Sequence, residues 1–263
     1  MSSAPKVSVV IPVYNGAATI ERAVRSALAQ TLRDLEVVVV DDGSTDATPE
    51  VLARISDPRL RVVRQANAGR SRARNVAVRE ARAPYVAMLD ADDLAYPDRL
   101  ARQAALLDAR PEIALCGTWA DWIEPDGTKR EWRQPVEPED VRSAMLRSNC
   151  FIHSTVMVRK EAFEEAGGYD ERLVFSEDYD LFLRLVARHA GANVPQVLGA
   201  YRAPSGAVYK LREQWNKTRV RWRAMSRYGY SWRNAPHLLT PLAAAFVPAR
   251  LRLALQRRRV PGR

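Results

Sequence analysis

Tyr85-Val86-Ala87-Met88-Leu89-Asp90-Ala91-Asp92-Asp93 decides the fold. Its five opening residues, mostly apolar, read as a buried strand, and the strand runs into three carboxylates. In an open α/β sheet, ligands bind at the carboxyl ends of the strands. Two carboxylates spaced Asp-x-Asp there offer hard oxygen donors to a divalent cation, and the cation would hold a diphosphate. The competing reading is an ordinary acidic turn. An isolated triplet does not choose between the two; its neighbours do.

Upstream, Val7-Ser8-Val9-Val10-Ile11-Pro12 is a β-branched run closed by proline, a strand of the buried parallel type. The turn Val13-Tyr14-Asn15-Gly16 follows, then a helix whose apolar face is Ile20, Ala23, Val24, Ala27 and Leu28. Leu35 to Val40 is a second buried strand, ending at Asp41-Asp42-Gly43-Ser44. Thr48 reads as an N-cap with Pro49 in the first helical position. Arg61 to Arg64 is a short third strand, and Ser71 to Ala83 is helical. Strand and helix alternate, so a mostly parallel open sheet flanked by helices is expected. Three strand ends then bring polar groups to one edge: Tyr14 with Asn15, Asp41 with Asp42, and Asp90 with Asp92.

Downstream, Pro97 opens a helix with Leu100, Ala104 and Leu107 inward, and Ile113 to Trp119 is a strand. Trp119, Asp121, Trp122 and Trp132 surround a Pro125-Asp126-Gly127 turn, which predicts a hairpin. Trp119 could stack on a sugar face, although cross-strand packing is the commoner use. Phe151 to Val158 reads as a strand carrying His153, either a satisfied structural residue or a ligand contact. Ser176 reads as the N-cap of a helix with Phe182, Leu185, Val186 and His189 on one face. Glu177 and Asp178 then fall in its first turn, where the helix dipole favours acids and a carboxylate is well mounted to act as a base.

The 263 residues are 47% hydrophobic and 27% charged, enough for one large domain with a real core. The two cysteines show no zinc spacing and define no disulfide framework, which points to a reducing cytoplasm. No cleavable leader pattern and no run long enough to span a bilayer is visible. The charge of +10 is uneven: residues 200–263 hold 15 Lys+Arg against one acid, Glu213, while the first 199 hold 26 against 30. No GxGxxG follows the first strand, so a dinucleotide-binding dehydrogenase is disfavoured.

Five ordered stretches carry a resemblance. They are Val9-Val10-Ile11-Pro12-Val13-Tyr14-Asn15, Val39-Val40-Asp41-Asp42-Gly43-Ser44-Thr45-Asp46, Asn67-Ala68-Gly69 with Ala73-Arg74-Asn75, Leu89-Asp90-Ala91-Asp92-Asp93 and Glu177-Asp178-Tyr179-Asp180. Over about residues 6–202 the chain resembles the bacterial family 2 glycosyltransferases of GT-A fold. The resemblance implies inverting transfer of a sugar from a nucleotide diphosphate sugar, UDP-sugar favoured, to an acceptor hydroxyl in surface polysaccharide or glycan assembly. It implies that Pro12, Val13, Tyr14 and Asn15 line the nucleotide pocket and that Asp42 receives the base. Arg74 and Ala91 would stand at the nucleotide sugar, Asp92 at manganese or magnesium, Asp90 nearer the ribose but within the metal site. Asp178 would be the catalytic base, with Glu177, His153 and Trp119 toward the acceptor. Many relatives have Tyr-Arg-x-His after the last core strand; here Tyr201-Arg202-Ala203-Pro204 lacks the histidine, so either the metal has one protein ligand fewer or another group such as His153 compensates.

The expected division is a glycosyltransferase domain over 1–204, with a nucleotide-binding half (1–116) and an acceptor-binding half (117–204), and a basic helical extension over 205–263. Arginine interleaved with Trp215 and Trp222 suits an anionic membrane surface, placing the protein peripherally at the inner face of the cell membrane beside a glycan or lipid-linked acceptor. Packing of this region on the domain is the alternative, and nucleic acid is not expected. Residues 205–209 are expected to form a flap over the donor. Two competing functions remain: a polyprenyl-phosphate glycosyltransferase, and a non-catalytic nucleotide-sugar-binding protein at the membrane.

Overall fold

The computed structural model describes residues 4–203 and 211–245; the expected flap at 205–209 and the basic end beyond 245 lie outside them. The first half alternates as the apolar runs require: β1 (Val7–Val13), α1 (Ile20–Leu28), β2 (Leu35–Asp41), α2 (Thr48–Ala53), β3 (Leu60–Arg64), α3 (Arg70–Glu80) and β4 (Tyr85–Met88). Then come β5 (Leu94–Ala95), α4 (Arg99–Ala109), β6 (Ile113–Ile123), β7 (Lys129–Trp132), α5 (Pro138–Ala144), β8 (Met157–Arg159), α6 (Lys160–Glu165), α7 (Glu177–Arg188), β9 (Ala190–Arg202), α8 (Leu211–Arg227) and α9 (Thr240–Ala245). The sheet runs β3-β2-β1-β4-β8-β6-β9-β5, with β7 paired to β6.

The strands β3, β2, β1 and β4 are parallel, and so are β6 and β9; β8, β5 and β7 join antiparallel. This is the open, mostly parallel sheet flanked by helices that the sequence predicts. Side chains alternate across β1: Val10 enters one core with Val38, Met88 and the helices α3, α7 and α8. Val7, Val9 and Ile11 enter the other with residues of α1, α2 and α4. Both faces are covered, which is why β1 and β2 are near-continuous apolar runs rather than alternating ones.

Three local expectations are corrected. Phe151 to Val158 is not one strand, because His153–Thr155 forms a 3-10 turn before the short β8. There Thr155 Oγ1 donates to the Ile152 carbonyl (2.9 Å), a side-chain bond that competes with a sheet ladder. Thr48 is not the cap of α2; the Asp46 carboxylate accepts from the Thr48 amide (3.0 Å), and the Thr48 hydroxyl receives the Gly16 amide (2.9 Å). Ser176 precedes α7 with φ 64°, the left-handed region, and makes no capping bond. An N-cap hydroxyl reaches the helix amides from an extended backbone, which Ser176 lacks. The predicted hairpin is present, with Gly127 at φ 85° in its turn, and its first strand extends four residues beyond Trp119.

Residues of the C-terminal region up to 245 pack on the domain. Val220, Ala224, Met225 and Tyr230 are buried in the same core as Phe182, Leu183 and Leu185. Cys116 and Cys150 are buried, and burial pushes both thiols up to about 12. Native protein should therefore resist thiol-directed alkylation at neutral pH, and both sulfurs should react once denatured, counted by mass; labelling of either in the native state would contradict this packing.

Candidate functional site

The parallel register places the ends of β1, β2 and β4 side by side, and a cavity of about 570 Å³ opens over them. That size suits a nucleotide-scale ligand. Its wall contains Pro12, Val13, Tyr14 and Asn15 from β1 and its turn, Asp42 after β2, Arg70 and Arg74 from α3, the run Asp90–Asp93, and Tyr201 and Arg202 from β9.

Each of the first two turns is built to hold its shape. Asn15 adopts φ 53° without being glycine. Its amide donates to Ser44 Oγ (2.9 Å) and its side-chain oxygen accepts from the Thr45 amide (2.8 Å), so the two turns lock together. Asp42 is buried; its carboxylate accepts from Gln65 Nε2 (2.7 Å) and from the amides of Ala68 and Gly69 (both 2.9 Å). It therefore ties β2 to the loop leading into α3. Tyr14 stands half exposed at the cavity edge.

The third turn hangs on β4. Arg99, fully buried, donates to the carbonyls of Met88 (2.8 Å) and Val156 (3.0 Å), fixing where the strand stops. The Asp90 amide then donates to Ser154 Oγ (3.1 Å), and Ser154 in turn donates to Asp93. Asp90 is engaged on both oxygens: Arg74 Nη2 donates to Oδ1 (2.9 Å), and His153 Nδ1 lies 3.1 Å from Oδ2. A carboxylate only accepts, so Nδ1 carries the proton; the Tyr169 hydroxyl holds Nε2 at 2.9 Å. Burial alone would raise the Asp90 carboxyl, but His153 and Arg74 hold it well below the usual range.

Asp92 differs. It is exposed on the cavity wall, and its carboxylate has no hydrogen-bond or ion-pair partner among the described residues. The surrounding protein, followed by the charge of Asp90, pushes its carboxyl up from the ordinary value. A hard, unpartnered oxygen donor under that pressure fits a divalent cation. Among the described residues no group of three or more His, Cys, Asp or Glu stands ready as a closed metal cage. Any cation here would therefore complete its shell with ligand and water oxygens. Asp93 is buried, accepts from the Arg202 amide (2.8 Å), and is raised to about 8 by burial and by Asp90.

All nine residues expected at the nucleotide sugar thus line one cavity. The residues expected toward the acceptor do not. Glu177 is buried and accepts from Arg74 Nη1 (2.7 Å), with Arg70 Nη1 at 3.7 Å; its carboxylate braces α7 to α3 rather than facing an acceptor. His153 is buried, its two ring nitrogens held by Asp90 and Tyr169, so no nitrogen is free to replace the missing histidine at a cation. Trp119 donates its indole N–H to the Gln134 carbonyl (2.9 Å), and Arg133 lies 5.1 Å over its ring. Asp178 stands half-buried in the first turn of α7, outside the cavity wall, with Asn149 Nδ2 3.3 Å from Oδ2.

The structure adds Arg70, Asp93, Tyr201 and Arg202 to the site. The Tyr201 hydroxyl is pushed up by burial and then by the charges of Asp93, Asp90, Asp92 and Asp178. Its ring packs on Trp122 at 5.1 Å. The Tyr-Arg pair was visible in the sequence; its place in the wall depends on β6–β9 pairing.

A family model described as Glycosyl transferase family 2 matches residues 8–167. The chain is 38% identical over 225 residues to the succinoglycan biosynthesis protein ExoO of Rhizobium meliloti, covering 80% of this chain and 62% of that relative's length. Among solved structures, residues 1–349 of S. aureus TarS in complex with UDP-GlcNAc align with TM-score 0.74 at 19% identity, covering 97% of this chain and 82% of that one. The mannosyltransferase PcManGT of Pyrobaculum calidifontis, in complex with GDP-Man and Mn2+, aligns with TM-score 0.64 at 23% identity, covering 98% and 81%. At these identities the two structures speak for the fold.

Proposed function

Because the chain belongs to glycosyl transferase family 2, we propose that it transfers a sugar from a nucleotide diphosphate sugar, with inversion, to a hydroxyl of a glycan or lipid-linked acceptor during surface polysaccharide assembly. The observation that carries this reading is the cavity where three strand ends meet, whose wall holds the exposed Asp92 carboxylate together with two arginines, Arg70 and Arg202. The likeness to ExoO supports polysaccharide assembly, and TarS with UDP-GlcNAc and PcManGT with GDP-Man support a nucleotide-sugar donor, for which a UDP-sugar is our first candidate.

In this reading Tyr14 packs on the base and Asp42 accepts its N–H; a carboxylate already bound by two backbone amides is aimed before the ligand arrives. Asp90, fixed by Arg74 and His153, faces the ribose, and Ala91 leaves room between the two acids. Asp92 would hold manganese or magnesium, which when bound offsets the charge that develops on the departing diphosphate. PcManGT with Mn2+ supports that choice of ion. Arg70 and Arg202 add positive charge to the same wall.

Asp178 takes the acceptor proton as the acceptor oxygen bonds to the anomeric carbon and the bond to the diphosphate breaks. A single displacement needs one base opposite the leaving group and no second carboxylate nucleophile. The protein works in the cytoplasm at the inner face of the membrane, where a lipid-linked acceptor is presented.

Calorimetric titration of UDP, GDP and dTDP, each with and without manganese, tests the donor side. One nucleotide should bind at least about tenfold more tightly with metal, and Asp92→Asn should remove that dependence while leaving the metal-free affinity in place. If no nucleotide binds in either condition, the donor reading fails.

A further inference from the structure

The helix α8 has two unlike faces. On the inner one Gln214, Val220, Arg221, Ala224 and Met225 are buried. Arg221 reaches the carbonyls of Arg147 (2.8 Å) and His237 (2.6 Å) and the Thr240 hydroxyl (2.7 Å), which fixes the helix in rotation. On the outer one Arg212, Trp215, Arg219, Trp222 and Ser226 follow at i, i+3, i+7, i+10 and i+14, and all five are exposed. That spacing makes one continuous stripe. Trp215 is 59% exposed and Trp222 50%, and Trp232 (58%) and Leu239 (63%) follow on the segment tied to α8 by the bond from Thr218 Oγ1 to the Leu238 carbonyl (3.0 Å).

Tryptophan is ordinarily among the well-covered side chains, so two on one held face, each flanked by arginine, call for a partner. The charge says which. Glu213, the one acid of α8, is paired with Lys217 at 2.6 Å, and residues 246–263 of the sequence add six arginines and no acid. A second copy of this chain would bring arginine against arginine. An anionic bilayer supplies phosphates for the guanidinium groups and an interface for the indoles.

We propose that the Arg212–Trp215–Arg219–Trp222 face of α8, continued by Trp232, docks the protein on an anionic lipid surface. This deepens the membrane partner of the proposed function, and it stands or falls separately from the donor chemistry. The full chain is sedimented with vesicles of phosphatidylcholine alone, or containing phosphatidylglycerol, while nucleotide binding is measured apart from vesicles. Wild type should bind the anionic vesicles and release them in high salt. Arg212→Gln with Arg219→Gln should weaken binding about thirtyfold, which is ~1 kcal/mol per arginine. Trp215→Ala with Trp222→Ala should weaken it about tenfold or more. Both pairs are exposed, so nucleotide affinity should stay at the wild-type value and report intact folding. The proposal is overturned if wild type ignores anionic vesicles or binds neutral ones as well. It is equally overturned if both double variants bind like wild type, or if the tryptophan variant instead converts a dimer to a monomer.

Discussion

Arg74→Ala should destabilise the protein by about 3–5 kcal/mol and abolish measurable donor binding. The guanidinium is buried, donating to Asp90 (2.9 Å) and Glu177 (2.7 Å) and lying 5.5 Å from the Tyr169 ring centre. Removing it leaves two carboxylates facing each other's field with their shared cation gone, the situation in which breaking a buried pair costs most. Glu177 is already raised by burial and by Asp178, so it would lose its principal compensation. For a chain of this size the loss corresponds to a fall in melting midpoint of about 10 °C. Arg74→Lys should recover only part of it, since one ammonium does not span both acids as a fork does. A midpoint within about 2 °C of wild type would show that the ion pairs are not holding α3, β4 and α7 together.

Asp178→Asn should lower transfer to a hydroxyl acceptor by about 10²–10⁴-fold, the usual worth of a positioned base. Donor affinity should not change, because Asp178 stands outside the cavity wall. The stability cost should be small: the carboxylate receives one long contact, 3.3 Å from Asn149, and asparagine keeps the volume. Full turnover on a hydroxyl acceptor would remove Asp178 from the base role. Turnover kept only on a lipid phosphate would identify the polyprenyl-phosphate transferase, whose acceptor needs no strong base.

The cavity at the strand ends was legible in the chain because its pattern is local. An apolar run followed by Tyr-Asn, Asp-Asp or Asp-x-Asp states both a strand and what stands at its end, and parallel pairing does the rest. The rest depends on contacts that no local pattern encodes. Arg74 meets Glu177 across 103 positions, and Trp122 meets Tyr201 because β6 and β9 pair there after shifts of register. His153 could be read as a satisfied structural residue or a ligand contact; in a 3-10 turn rather than a strand, its ring is held by Asp90 and Tyr169. Trp119 had packing as its commoner reading and a sugar face as its rarer one, and its face and edge meet Arg133 and the Gln134 carbonyl. Ser176 had the right chemistry for a cap and the wrong backbone, and such strain beside a candidate base is where functional sites depart from local rules.

The reach of Arg74 from Asp90 to Glu177 joins the cavity wall to the start of α7. Glu177 is the neighbour of Asp178 in the first turn of α7, so a ligand that alters the hold of Asp90 on Arg74 alters the hold of Arg74 on that helix start. Such linkage is reciprocal: the factor by which bound donor changes acceptor affinity equals the factor by which bound acceptor changes donor affinity. In the proposed function, with the donor in the cavity and the acceptor at α7, a coupling through Arg74 would make the two affinities interdependent rather than separate.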